Sequence, residues 1–137
     1  MEETIEISQS LLWGLCDKAV FAETFQAAIE FELIVLEWAF SQGYPRVIRK
    51  NKKGNRDIRP CFSGALGHLK KECQVPESLV TRIEKAWDTR NDLMHNFAWK
   101  SLLLGPEQSK DCILYEAHAT LQAAWFAVHD ECFRSSL

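Results

Sequence analysis

The chain has no run of apolar residues long enough to cross a membrane. Its most apolar stretch is interrupted by Glu30, Glu32 and Glu37, whereas a spanning helix needs roughly 20 predominantly apolar residues. The opening residues, Met1-Glu2-Glu3-Thr4, are acidic and lack the basic start of a secretory signal, so a cytoplasmic protein is expected. No Cys-x-x-Cys pair occurs. The five cysteines, Cys16, Cys61, Cys73, Cys112 and Cys132, are odd in number and scattered, which argues against a disulfide framework or a zinc ribbon. Cys61, His68 and Cys73 match known zinc spacings poorly. The thiols are read instead as buried or half-buried small hydrophobes, and no metal or cofactor is expected. There is also no internal repeat, no low-complexity tract and no alternation of strand type.

What is present is an ordinary globular composition. The 137 residues are 47% hydrophobic and 26% charged, enough for one domain over residues 1–137 with a core that needs no staples. The net charge of -3 conceals an asymmetry. Residues 46–59 carry Arg46, Arg49, Lys50, Lys52, Lys53, Arg56 and Arg59 against Asp57 alone, a local +6 that leaves -9 elsewhere. Such a patch can attract a polyanion such as RNA; a solvated loop is the other reading of the same charges.

Four helical segments emerge between recognisable breakers. The first spans about Ser8 to Ser41: Leu11, Leu12 and Leu15 open it, and Phe21, Phe25, Ala28, Ile29, Leu33, Leu36 and Phe40 follow at three- and four-residue steps. Gly43 and Pro45 end it. The basic segment reads as a loop or loose hairpin, with Asn51, Gly54 and Asn55 as turn residues and Pro60 closing it. A second helix covers about Phe62 to Cys73, with Ser63 as its expected N-cap. A third begins near Pro76, placed at the first helical position, and ends near Phe97; its stripe is Leu79, Ile83, Ala86, Trp87 and Met94. Beyond Gly105-Pro106 a fourth runs from about Glu107 to Phe133, with Ile113, Leu114, Ala117, Leu121, Ala124, Trp125 and Val128 inward. Four helices joined by short links predict an all-α antiparallel four-helix bundle with a basic loop between its first two helices.

Arg90 is the informative residue, because it lies in the apolar stripe formed by Ile83, Trp87, Met94 and Phe97. A guanidinium there must be paired, or must face a place where an anion arrives. Asp88, Glu84 or an acid on another helix are the candidates for pairing. His95 follows five residues later, about 140° around a regular helix. The two meet only if the helix loosens near Asn96, if the arginine swings round, or if a second subunit supplies the partner. Asn91 and His95 are an i,i+4 pair, so Asn91, or Asp88 one turn before it, is placed to orient the imidazole. A cationic His95 near a helix C-terminus would also be favoured for electrostatic reasons alone.

The segment Arg90-Asn91-Asp92-Leu93-Met94-His95, near the end of the third helix, resembles the active-site motif of the HEPN (higher eukaryotes and prokaryotes nucleotide-binding) superfamily. That pattern is an arginine, a polar neighbour and a histidine four to six positions beyond. The preceding stretch Ser63-Gly64-Ala65-Leu66-Gly67-His68-Leu69, through Pro76 and Leu79 to Ala86, resembles bacterial HEPN-like proteins as well. The similarity covers roughly residues 60–98 by motif and the remainder by architecture. It implies a HEPN-like bundle, a two-fold homodimer joining both Arg–His pairs in one cleft, and metal-independent RNA cleavage to 2′,3′-cyclic phosphate and 5′-hydroxyl ends. In that scheme His95 transfers protons, Arg90 clamps the phosphate, and Asn91 orients His95 or binds the phosphate. Arg46, Arg49, Lys50, Lys52, Lys53 and Arg56 would hold RNA. A toxin or defence role, with a nucleotidyltransferase-type antitoxin as partner, follows from the same resemblance. So does the alternative of a non-catalytic interaction module, since many HEPN-like domains cleave nothing. Met94, Phe97 and Trp99 around the motif are the apolar residues expected at the dimer contact, made by the third and fourth helices. A small-molecule site would instead need an internal pocket. His118 and His129 are read as partly exposed or hydrogen-bonded, and His68 as solvated or as touching RNA.

Overall fold

The computed structural model describes residues 18–46, 60–103 and 111–135. They form four helices, α1 (Lys18–Ser41), α2 (Phe62–Glu72), α3 (Glu77–Leu103) and α4 (Asp111–Ser135), with no strand among the described residues. The all-α class read from the sequence is the class observed. Residues 8–17 of the expected first helix, and residues 47–59 of the basic segment, lie outside the described residues.

Local chemistry explains where the helices stop and start. Gly43 closes α1 with φ 93°, a conformation open to glycine but strained for other residues. Its N–H donates to Phe40 O at 3.1 Å and the Tyr44 N–H donates to Ala39 O at 2.9 Å, the two bonds of a Schellman cap. Cys61, not Ser63, caps α2: its Sγ accepts from the Gly64 N–H at 3.3 Å from an extended backbone, while Ser63 is already helical. Pro76 also sits one place earlier than expected, its carbonyl accepting from the N–H groups of Leu79 at 3.0 Å and Val80 at 3.1 Å. It is therefore the cap, and Glu77 in the first turn complements the helix dipole. Helix α3 does not end near Phe97 but continues to Leu103. No Gly or Pro occurs before Gly105-Pro106 to break it.

Helix α4 packs against both α1 and α3, and α2 against α1. Phe21 meets Phe97 at 5.9 Å and Glu32 reaches Arg90, so α1 and α3 run in opposite senses. Buried Thr24 donates to Val20 O at 2.7 Å and to Leu114 O at 3.3 Å, joining the early turns of α1 and α4. Those two helices therefore run in the same sense. Here the structure departs from the strict alternation of an antiparallel bundle, and α2 is the reason. Phe62 lies beside Phe31 (5.6 Å) and His68 beside Gln42, so α2 climbs along the second half of α1 instead of returning down it.

The core holds Phe31, Val35 and Trp38 from α1, Leu69 from α2, Ile83 from α3, and Leu114, Leu121 and Val128 from α4. On α3 and α4 the expected stripes are largely the buried ones. Helix α1 differs: it buries Thr24, Ala28, Phe31, Val35, Trp38 and Ala39, while Ile29 and Leu33 are each 53% exposed. Of the stripe expected inside, Ala28 is buried and Phe21, Phe25 and Leu36 are half-buried against the core, whereas Ile29 and Leu33 lie on the outer face. Apolar residues surround this helix, and periodicity alone cannot choose between two apolar faces. Among the described residues no helix is long and apolar enough to cross a membrane.

Candidate functional site

A run of aromatic contacts, tilted between Phe31 and Phe62 and stacked between Phe62 and Trp87, leads from the core to Arg90. Phe62, the first residue of α2, lies between Phe31 of α1 and Trp87 of α3, its ring parallel to the indole (3.9 Å, 4°). The Arg90 guanidinium sits over the Trp87 ring at 4.7 Å, close enough for a cation–π contact. Trp87 and Arg90 are i,i+3 neighbours on α3, which puts the cation one turn along the same face. One terminal nitrogen of Arg90 donates to Glu32 Oε2 at 3.1 Å, and the other to Asn91 Oδ1 at 3.0 Å. The Arg90 and Glu32 side chains keep 24% and 31% of their exposure. The pair therefore belongs to the edge of the core, not to open solvent. Arg90 Nε is buried and has no hydrogen-bond partner among the described residues.

The three expected site residues are not gathered into one constellation. Helix α3 is unbroken from Glu77 to Leu103, so Arg90 and His95 diverge by about 140° within the chain. Arg90 points to the α1 edge of the core. His95 is exposed, and among the described residues no hydrogen bond reaches its imidazole. Asn91 turns its oxygen to Arg90 rather than to His95, and Asp88 is exposed. The loosening near Asn96 that would join the pair does not occur; Asn96 donates to Asp92 across one helical turn at 3.0 Å. Two residues expected at a dimer contact are already covered within the chain, Phe97 being buried and Met94 half-buried against the core.

Arg46 is the one residue of the expected RNA-binding set that lies within the described residues. Its guanidinium is bidentate on Glu37 (3.2 and 3.1 Å) and lies over the Phe40 ring at 4.6 Å. Arg49, Lys50, Lys52, Lys53 and Arg56 lie outside the described residues.

His68 and His129 have local partners. His68 Nε2 bonds the Gln42 carbonyl at 2.7 Å and its ring tilts against Tyr44 at 5.5 Å, tying α2 to the end of α1. His129 stacks on Trp125 (5.1 Å, 12°). Burial raises the thiol pKa of Cys73, helped by the neighbouring charge of Glu72, and burial alone raises that of Cys132. Both thiols are thus further from the reactive thiolate than a free cysteine. Among the described residues no three His, Cys, Asp or Glu side chains are grouped to hold a metal. Open grooves run along the molecule, one of about 560 Å³ between α3 and α4 and another of about 280 Å³ between α1 and α4. Neither Arg90 nor His95 lines them.

Sequence reasoning missed Glu32 and the Phe62–Trp87 stack. Glu32 was legible only as one of the acids interrupting the most apolar run, a position that calls for a cation partner. No protein-family model, characterised protein or solved structure matches this chain.

Proposed function

We propose that this chain is a HEPN-type, metal-independent endoribonuclease that works as a two-fold homodimer. The observation that carries the reading is an arginine kept at the aromatic edge of the core, with a buried Nε left over, followed on the same helix by an exposed histidine. In this scheme the four helices are a HEPN-like bundle, and the divergence of Arg90 and His95 within one chain is resolved by the second protomer. One His95 accepts the proton of the 2′-hydroxyl as O2′ attacks phosphorus. The P–O5′ bond breaks, and the leaving 5′-oxygen takes a proton from the partner's protonated His95. Arg90 stabilises the charge that builds on the phosphoryl oxygens, and the amide nitrogen of Asn91 donates to the same group. The products are a 2′,3′-cyclic phosphate and a 5′-hydroxyl. Arg49, Lys50, Lys52, Lys53 and Arg56 add sequence-independent phosphate contacts. A toxin or defence role restrained by a nucleotidyltransferase-type antitoxin belongs to the same reading.

A second reading, a non-catalytic interaction module, is favoured by one specific observation. Glu32 already neutralises Arg90 within the chain. One experiment separates the two. End-labelled RNAs are incubated with the protein in EDTA, with a 2′-O-methyl substrate and with His95→Ala, and the fragment ends are analysed. The enzyme reading expects cyclic-phosphate ends in EDTA, resistance of the methylated site, and a loss of about 10²–10⁴-fold in His95→Ala. Full activity in His95→Ala, or a requirement for added metal, sinks the mechanism. No cleavage of varied RNAs by the wild type leaves the interaction module. A monomer by light scattering at high micromolar concentration removes the composite site.

A further inference from the structure

The outer face of α1 has the pattern of an interhelical seam. Gln26, Ile29, Leu33, Leu36 and Phe40 recur at alternating three- and four-residue steps, the heptad spacing of helices that pair lengthwise. Ile29 and Leu33 at the centre of this row lie opposite the buried set Thr24, Ala28, Phe31 and Val35 and are each 53% exposed, while Leu36 is half-buried against the core. From Gln26 to Phe40 it runs about 21 Å, four helical turns. Along one flank stand Glu23, Glu30 and Glu37, seven residues apart and all exposed. In heptad terms they occupy the flanking position whose charge selects the partner.

We propose that this face is a docking seam for an amphipathic helix of a partner protein that carries Lys or Arg beside its apolar row. Charge decides the occupant. A second copy laid antiparallel sets the glutamate row against itself. Laid parallel, it sets that row against the other flank, Phe25, Glu32 and Ala39, which offers no cation. The chain's own residues 1–17 contain Glu2, Glu3, Glu6 and Asp17 and no basic side chain, so they too meet the row with like charge. The chain's own segment 47–59 carries the right charge, but Val47, Ile48 and Ile58 are its only apolar residues, too few for a row of four turns. A basic amphipathic helix of a partner supplies both the charge and the row. The molecule already contains one instance of the contact: Arg46 pairs bidentately with Glu37 while lying over Phe40. Glu30 and Leu33 repeat the spacing of Glu37 and Phe40 one heptad earlier, and among the described residues Glu30 is bonded to its own-helix neighbour Gln26 at 3.0 Å. The inference is independent of the ribonuclease reading, since neither Arg90 nor His95 lies on the seam.

The test uses the full chain and two fluorescein-labelled synthetic helices of three heptads, both with leucine along the seam. One carries Lys at the flanking positions and its twin carries Glu. Fluorescence anisotropy is expected to show binding of the Lys peptide and not of the twin. Leu33→Ser weakens that binding about tenfold or more, the loss expected for one buried leucine. Glu30→Lys lowers affinity for the Lys peptide and raises it for the Glu twin. Circular dichroism verifies that both variants keep the helical fold, as their exposure leads one to expect. Failure of the Lys peptide to bind, equal binding of both peptides, or indifference to Leu33→Ser overturns the proposal. So does light scattering in which Leu33→Ser dissociates a wild-type dimer, because the occupant is then a second copy.

Discussion

Arg90→Ala should destabilise the fold substantially, whereas His95→Ala should not, and this asymmetry decides how any activity data are read. Three interactions end with the Arg90 side chain. The guanidinium over Trp87 at 4.7 Å is worth about 0.5–2 kcal/mol at a site of intermediate exposure. The bond to Asn91 at 3.0 Å contributes about 1 kcal/mol. The Glu32 pair retains 24% and 31% exposure, so it falls between the ~0–1 kcal/mol of a surface pair and the ~3–5 kcal/mol cost of breaking a buried one. Because the three share one group they are not additive, and the loss should be on the order of 2–4 kcal/mol. His95 is exposed and without a hydrogen-bond partner among the described residues, so its replacement stays within about 0.5 kcal/mol. In urea, with a slope of about 2 kcal/mol/M, the Arg90→Ala midpoint should fall by about 1–2 M. Far-ultraviolet circular dichroism is a sufficient probe. An Arg90→Ala midpoint within about 0.25 M of wild type would refute the cluster as a structural element. It follows that loss of RNA cleavage in Arg90→Ala cannot alone be taken as loss of catalysis; His95→Ala is the clean variant.

Three further outcomes are expected. Glu32→Gln releases Arg90 from its carboxylate, so if Arg90 clamps phosphate, RNA binding should tighten and its salt slope should steepen by about 0.7 for a single strand; an unchanged slope leaves Arg90 a structural group. Phe31→Ala on the inner face of α1 should cost about 3–5 kcal/mol in urea denaturation, against less than about 0.5 kcal/mol for Leu33→Ser on the outer face; equal costs would mean that the outer row is covered within the chain. Gly64→Ala should cost about 1–3 kcal/mol by overpacking, since an added methyl would run into the Tyr44 hydroxyl, and a neutral thermal melt would show that Tyr44 moves aside freely.

The parts of this fold legible in the sequence are those decided by local chemistry. Gly43 and the region of Pro76 mark ends that the structure keeps, because a left-handed cap and a missing N–H act wherever the chain goes. The inner stripes of α3 and α4 are readable because aliphatic residues repeat there at helical steps, even though Tyr115, Phe126 and Phe133 of α4 are exposed. That of helix α1 is not, because it has two apolar faces, and only packing against α4 and α2 selects Phe31 and Val35 over Ile29 and Leu33. The direction of α2 was hidden for a related reason: whether a short helix returns along its predecessor depends on where Phe62 finds a ring to stack on, and it finds Phe31 and Trp87. An arginine on an apolar stripe had to meet an anion, and it does, but Glu32 lies on another helix and nothing local points to it. Asn91, expected to hold His95, holds Arg90 instead, since a long side chain can fold back onto its own neighbour. An arginine so placed announces that an anion meets it, without saying whether that anion is a carboxylate or a phosphate. Both would compete for the same guanidinium, so Glu32 is the residue through which a structural Arg90 and a phosphate-binding Arg90 can be told apart.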